Sequence, residues 1–256
     1  DSFLFMKRRG MTHVEMILSF IIFITAVGFA LYFFSPIRSS RLVDTSLEYI
    51  EREITQNTSV ILKTYSIIVN NSESQIIGNL TIEINGTCGN TNNVIITENV
   101  SGGVLETKVG DNGDNGNKCS NEADNKIIVK NEWSAGRDFI YIKVSDGITP
   151  NESNLESASV NDTYYQISTT DVKKLLSEKR LLELNASYYG GYLALKKEFN
   201  LPGRVNFGFK IILSDKEINA ERFIPSGLEI FSKIKRIEVL RENGKVEYAD
   251  ILLKVW

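Results

Sequence analysis

The chain has 256 residues, of which 42% are hydrophobic and 24% are charged, as in ordinary globular proteins and unlike disordered chains. The formal net charge of −3 and the lack of a basic stripe argue against a nucleic-acid partner. The length suffices for one large domain or two small ones with a buried core.

The N-terminal region contains a long apolar segment with a carboxylate at its leading edge. No charged residue occurs in the 19 residues from Met16 to Phe34, close to the roughly 20 residues that a helix needs to cross a bilayer core. Glu15 directly precedes this stretch, and Gly10 and three basic residues at 7–9 precede Glu15. A carboxylate at this position is costly without a partner, so Glu15 is a candidate functional residue.

Three interpretations of this segment compete. A secretory signal peptide could be cut after residues 28–30, but the apolar character continues through Phe34. A plain single-pass anchor accounts for the length and leaves Glu15 unexplained. In either membrane-spanning interpretation, the basic residues at 7–9 predict a cytoplasmic N-terminus and an external C-terminal region.

The third interpretation accounts for both the length and the carboxylate. The segment resembles the class III signal of type IV pilin-like proteins of bacteria and archaea. That signal is a short basic leader ending in Gly, with cleavage after this Gly and a Glu at the fifth mature position. Residues 1–10 would be the leader, Gly10 and Met11 would flank the cut, and Glu15 falls on the fifth position. His13 departs from the family's usual run, and we assign it no role.

The resemblance implies a set of partners and a location. The leader would be removed by a prepilin peptidase, and the chain would lie in the membrane before it joins other pilin-like subunits in a homo- or hetero-filament. Glu15 would then meet the N-terminal amine of a neighbouring subunit. The head would be extracellular, on a cell-surface filament after assembly.

After the apolar segment the sequence predicts an amphipathic helix. Val43, Leu47, Ile50 and Ile54 recur with helical spacing and are separated by charged residues. We therefore expect one long helix over 11–56, a stem for a globular head.

Residues 57–170 predict a β-rich extracellular region. Six short β-branched runs are separated by turn residues, which favours an antiparallel sheet or small sandwich. These runs span 59–69, 78–84, 92–97, 102–109, 125–130 and 138–145.

Two features of this region bear on its compartment. Cys88 and Cys119, the only cysteines, flank a loop on the same side of the apolar segment, which favours a disulfide over two free thiols and hence an oxidising compartment. Eight sequons for N-glycosylation all follow the apolar segment. They begin at Asn57, Asn70, Asn79, Asn85, Asn99, Asn151, Asn161 and Asn185. Together with the leader, the sequons favour an archaeal source.

The stretch 111–117, DNGDNGN, has the residue types of a calcium loop. Gly113 occupies the third ligand position and no Glu follows at the twelfth, so the EF-hand pattern fails. A solvated Gly-rich loop is the favoured interpretation, and the sequence predicts no metal site and no cofactor.

Residues 171–256 predict an α+β subdomain. Asp171 would be the N-cap of a helical region that breaks near Gly190–Gly191 and ends at Pro202–Gly203. A strand follows at 204–213, and the turn signal Asn243-Gly244 predicts a terminal hairpin. Three tyrosines at helical spacing could form a binding patch but favour a core position, namely Tyr188, Tyr189 and Tyr192.

These features predict an α+β protein with an N-terminal hydrophobic helix and a β-rich antiparallel head. The function that they favour is a pilin-like structural subunit of a type IV pilus-like surface filament, with a further adhesive role for the head. The alternative is a single-pass anchored surface binding module that does not assemble. None of the common catalytic sequence motifs occurs, so we expect a protein that is not an enzyme.

Overall fold

The computed structural model describes residues 8–33, 37–71, 78–89, 92–110, 116–119, 125–156 and 164–256, with the backbone alone at 8–12 and 37–44. The chain divides into two compact units, Asp1–Glu48 and Tyr49–Trp256. The protein has an N-terminal apolar helix and a large sheet-rich domain, an α+β organisation.

Two helices occupy the N-terminal quarter. Helix α1 spans Arg8–Phe33 and helix α2 spans Ile37–Thr58. In α2 the predicted apolar stripe is buried at Leu47, Ile50 and Ile54, whereas the side chain of Val43 lies outside the described residues. The single helix predicted over 11–56 thus corresponds to two described helices, with residues 34–36 outside the description.

The described residues of the second unit form eleven strands in one sheet. They are β1 (Ser59–Asn71), β2 (Asn79–Glu83), β3 (Val94–Asn99), β4 (Val104–Val109), β5 (Lys126–Lys130), β6 (Gly136–Ser145), β7 (Tyr165–Ser177), β8 (Phe207–Ile212), β9 (Glu217–Ala220), β10 (Phe231–Leu240) and β11 (Val246–Val255). The sheet order is β2-β5-β4-β3-β6-β1-β7-β10-β11-β8-β9. The strands that we predicted from the sequence are confirmed.

All of these strand pairs are antiparallel except β7 with β10, which is parallel and short. It consists of the residue pairs Val239–Leu176 and Leu240–Ser177. The β-rich strands β1–β7 and the C-terminal strands β8–β11 are therefore joined in the sheet through two residue pairs.

The β-rich part of the sheet curls around a core of its own. The hydroxyl of Tyr165, in β7, accepts a hydrogen bond from the backbone N–H of Glu83, in β2, at 3.0 Å, although five strands lie between β2 and β7 in the sheet. The enclosed side chains come from alternate positions of the strands, as a one-sided strand pattern requires. They include Ile67, Ile82, Ile95, Ile127 and Ile142.

A second core lies on the opposite face of β1 and β3. Val60 and Leu62 of β1 face this core, whereas Ile67 faces the first core. Strand β3 is buried on both faces, which accounts for its continuous apolar run. The second core also includes Ile148, Leu175 and Leu240, so it reaches into the junction with the C-terminal strands.

Helix α3 (Glu178–Glu198) packs against the C-terminal strands. The ring of Tyr188 contacts the rings of Phe207 and Phe209 of β8 edge to face, at 5.5 Å and 6.0 Å between centroids. The predicted break is confirmed at Gly191, whose φ of −156° and ψ of 50° are not helical.

The predicted start of this helix is wrong. Asp171 lies within β7, opposite Thr64 of β1, and Ser177 is the N-cap, accepting a hydrogen bond from the N–H of Arg180. The long strand β1 supplies backbone partners up to Leu176, so the sheet ladder overrides the local helical pattern. The helix also ends at Glu198, before the predicted Pro202–Gly203.

The predicted disulfide between Cys88 and Cys119 is present, with 5.6 Å between the Cα atoms. Both residues are buried in the first core. We expect the double substitution Cys88→Ala/Cys119→Ala to lower the free energy of unfolding by about 3 kcal/mol, because the unfolded chain gains loop entropy. Urea unfolding in detergent micelles, followed by tryptophan fluorescence, measures this loss. Equal stability of the variant and the oxidised wild type would contradict it.

Candidate functional site

The first candidate site is the apolar part of α1. Residues His13–Phe33 form a stretch of 21 residues with a mean hydropathy of 2.4, long and apolar enough to cross a membrane. Every described side chain in this stretch is exposed. The hydroxyl of Thr25 donates to the carbonyl of Ile21 at 2.6 Å, so the helix itself satisfies this polar group. This helix surface therefore needs lipid or another apolar partner to cover it.

The residues of the predicted leader signal lie at the start of α1. The backbone of Gly10 and Met11 is helical, and Glu15 follows on the same helix with an exposed side chain. Met11 and Glu15 are four positions apart in the helix, which places them about one turn, or about 6 Å along the axis, from each other. An amine at Met11 and the carboxylate of Glu15 would therefore lie on the same side of the helix.

One face of α1 has two alanines among larger apolar side chains. Ala26 and Ala30 lie between Ile22 and Phe33 along this face, with Phe29 beside them. The ring centroids of Phe29 and Phe33 are 4.7 Å apart. Small residues allow a second helix backbone to approach closely in lipid, so this face suits helix packing.

The second candidate site is a groove of about 870 Å³ in the β-rich part. Its lining combines an indole, amides, carboxylates and an ammonium group, contributed by Trp133, Asn71, Asn131, Glu106, Glu132 and Lys130. The indole N–H of Trp133 donates to the carbonyl of Gly78 at 2.8 Å, which fixes the ring at the edge of the first core. An aromatic ring among amides and carboxylates suits a polar ligand with an apolar face, such as a sugar.

The tyrosines of α3 are mainly core residues, as the sequence favoured. Tyr188 is fully buried and Tyr192 nearly so, and burial raises the pKa of both phenols. Tyr188 donates to the carbonyl of Phe207 at 2.7 Å. Tyr189 alone is exposed, and its hydroxyl donates to the carbonyl of Asn219 at 3.1 Å. The cluster therefore holds α3 on the sheet.

A buried carboxylate organises the junction between α3 and the terminal hairpin. Glu178 is 3% exposed and accepts hydrogen bonds from Arg241 at 2.7 Å and from the backbone N–H of Glu242 at 3.1 Å. It also pairs with Lys216. Burial alone would raise the pKa of the Glu178 carboxyl, but these three donors outweigh it and lower the pKa below the ordinary 4.5.

Arg241 connects Glu178 to further carboxylates. Its guanidinium lies 2.9 Å from Asp215 and also binds Glu247. All three carboxylates are thus held by cations, and the cluster serves to fix the ends of strands and helix in place.

The predicted glycosylation sites differ in exposure. Asn57, Asn70, Asn85 and Asn151 are exposed, and Asn79, Asn99 and Asn185 are partly buried. Asn161 lies outside the described residues. Most of the loop at 111–117 also lies outside the description, and among the described residues no group of three His, Cys, Asp or Glu side chains could hold a metal ion.

Sequence reasoning singled out Gly10, Met11 and Glu15, whose roles stay predictions, and it missed the groove and the charged cluster. The groove residues come from strand ends that only the sheet order brings together, and Trp133 stands in a polar stretch with no distinguishing pattern. The pairing of Glu178 with Arg241 joins residues 63 positions apart.

In comparisons with known proteins, no family model, no curated protein and no solved structure matches this chain.

We expect Glu178→Gln to lower the free energy of unfolding at neutral pH by about 3 kcal/mol, because Arg241 and Lys216 lose a buried counter-charge. The folded-state pKa of Glu178 is lowered, so its contribution is complete above about pH 4.5 and disappears as the pH falls through the folded-state value. Urea unfolding of both proteins between neutral and acidic pH measures this difference, which should shrink as the pH falls.

The matched control is Glu217→Gln. Glu217 is 52% exposed and pairs with Lys210 at 2.7 Å, so its loss should cost less than about 1 kcal/mol. Equal losses in the two variants, or a difference that persists in acid, would show that the buried ion pair is not the cause.

Proposed function

We propose that the chain is a pilin-like structural subunit of a surface filament, with its apolar helix in the filament core and its sheet-rich unit exposed. The observation that carries the proposal is the order of features at the N-terminus. Three basic residues precede Gly10, Glu15 falls on the fifth position after it, and an uninterrupted apolar helix follows in which every described side chain is exposed. A prepilin peptidase would cut between Gly10 and Met11.

Cleavage would give Glu15 a partner of the right charge. The new ammonium group on Met11 and the Glu15 carboxylate would each need an opposite charge once lipid or apolar side chains surround them. Leaving one such charge unpaired costs several kcal/mol, and pairing across two subunits removes most of this cost. The pair would favour subunits inserted at one axial position in an otherwise apolar and slippery bundle.

The rest of α1 fits a bundle of helices. Its surface is apolar on all sides, and the face with Ala26 and Ala30 would allow close approach of a neighbouring helix. In this proposal α1 and α2 act as one stem of about 70 Å over residues 11–56. The membrane would cover α1 before assembly, and other subunits would cover it afterwards.

The sheet-rich unit has properties suited to the outside of a cell. The buried disulfide Cys88–Cys119 requires an oxidising compartment. Exposed sequons such as Asn57, Asn70 and Asn85 would present glycans on the filament surface. The proposed location is therefore membrane-inserted with an external head, then a surface filament.

The groove at Trp133 favours a second candidate function. A single-pass anchored module that binds a sugar or partner through this groove would need the same membrane segment and no assembly. The two functions differ in the fate of residues 1–10, which a pilin-like subunit loses and an anchored module retains.

We expect the wild-type protein recovered from its native cell surface to begin at Met11, and Glu15→Ala to be processed at the same bond but to be nearly absent from sheared filaments. The physical reason is the loss of the charge pair that sets the axial position. N-terminal sequencing and intact-mass measurement show whether the chain is cut before Met11. The amount of the protein in sheared filaments relative to the amount left in the membrane measures assembly.

Glu48→Ala is the matched control, because Glu48 is also an exposed glutamate of the N-terminal unit but lies outside the apolar segment. This variant should assemble like the wild type. A retained leader would point to the anchored binding module, and a start at Leu31 would point to a secretory signal peptide. Normal assembly of Glu15→Ala would remove the proposed role of this carboxylate.

A further inference from the structure

The loop between β9 and β10, residues 221–230, exposes an unusual amount of apolar surface. We call it the apolar loop. Phe223 is 88% exposed, Leu228 is 50% exposed and Ile230 is 49% exposed. Ile234, near the start of β10, adds a side chain that is 70% exposed. Several large apolar side chains that are exposed within one short segment of a folded unit indicate a surface that something else covers.

The apolar loop lies at one end of its sheet. It follows Ala220, the last residue of β9, and precedes Phe231, the first residue of β10. Strand β10 runs from there to the turn at 241–245, which is the opposite end of the same sheet. The two ends of the sheet thus differ, since the turn end carries the Glu178 cluster and the loop end carries exposed apolar groups.

The chain enters the sheet-rich unit at the loop end. Glu51 of α2 binds Lys233 at 2.8 Å and Lys235 at 2.6 Å, close to the start of β10. Burial is the largest single influence on the Glu51 carboxyl and by itself would raise its pKa. The hydrogen bonds and charges of Lys233 and Lys235 together outweigh burial and lower the pKa.

Seven residues after Glu51, α2 ends at Thr58 and β1 begins. The first residue of β1, Ser59, pairs with Leu176, and Leu176 pairs with Val239 near the end of β10. Helix α2 from residue 51 onward and strand β10 therefore run in the same direction. The first residue of the unit, Tyr49, accordingly lies toward the end that carries the apolar loop.

What precedes Tyr49 in the chain is the membrane-competent segment His13–Phe33. Only residues 34–48 connect the two, and 15 residues extend at most about 50 Å, or about 22 Å as a helix. We propose that the apolar loop rests in the membrane interface on the external side while α1 spans the bilayer. This inference depends on the membrane-inserted state of the proposed function.

The chemistry of the loop favours lipid over a specific protein groove. Its charged root is tied back to the unit, since Glu221 binds Lys254 at 2.6 Å and Arg222 stacks on the ring of Tyr192 at 4.4 Å. The exposed groups of the loop include the large apolar side chains of Phe223, Leu228 and Ile230. Its exposed polar side chains are Arg222, Ser226 and Glu229, and Arg222 is the one that stacks on Tyr192. A bilayer interface accepts apolar side chains without shape complementarity and lets a nearby carboxylate remain in water.

The test places an environment-sensitive nitrobenzoxadiazole label on one introduced cysteine at a time in the 256-residue chain, in phosphatidylcholine vesicles. Ser226→Cys labels the apolar loop, Lys245→Cys labels the opposite end of the same sheet, and Ala26→Cys labels the middle of α1. Each protein is measured with and without phosphatidylcholine that carries a nitroxide quencher high on its acyl chains. The native cysteines remain in their disulfide and do not react.

We expect the label at 226 to shift to shorter wavelength and to lose most of its emission when nitroxide lipid is present, while the label at 245 does neither. Adding Phe223→Ser and Ile230→Ser to the loop variant should restore much of the emission, because these exposed side chains supply the lipid contact.

The label in α1 separates the two proposals. If Ala26→Cys is quenched and Ser226→Cys remains in a water-like environment, the loop proposal is wrong and membrane insertion stands. If the label at 226 is blue-shifted but not quenched by lipid, another copy of the protein covers the loop and the lipid assignment is overturned. If Ala26→Cys is not quenched, membrane insertion fails and both proposals fall.

Discussion

The parallel contact between β7 and β10 is the constraint on which the sheet-rich unit depends. Two residue pairs join seven β-rich strands to four C-terminal strands. A ladder of two residue pairs contributes little stability to the junction by itself, and polar contacts next to it add more. Glu178 and Arg241 follow directly after the paired residues on the two strands and bind each other. Lys143 of β6 also reaches across, donating to the carbonyl of Gly244 at 3.1 Å.

Packing reinforces the same place. Gly244, at the hairpin turn, has a positive φ of 80°, and a Cβ there would come within 3.1 Å of Ile96 in β3. The turn of the terminal hairpin thus packs against the second core. The residues of this core come from the β-rich strands and from β10. The two parts of the sheet share this core, and β7 (Tyr165–Ser177) spans the position 170/171 at which the sequence analysis divided them.

Local patterns predicted much of this molecule, and non-local pairing accounts for what they missed. The apolar stripe Leu47, Ile50 and Ile54, the turn at Asn243-Gly244 and the disulfide follow from spacing and residue type alone. The local pattern from Asp171 to Leu176 is compatible with either a helix or a strand. It forms a strand because it pairs with β1, which lies more than 100 positions earlier in the chain. The signal around Gly10 and Glu15 is contiguous in sequence, whereas the groove at Trp133 requires the strand order.

The central position of β1 also determines when the unit can form. Its two neighbours are β6 and β7, and its first residue, Ser59, pairs with Leu176, 117 positions later in the chain. An emerging chain therefore carries its first strand without either partner until Ser145, the last residue of β6, is present, and without the second partner until Ser177, the last residue of β7. Contacts of such long range make folding slow and leave strand edges open to wrong partners in the meantime. Any chaperone that acts on this chain during synthesis must keep that early strand from pairing elsewhere.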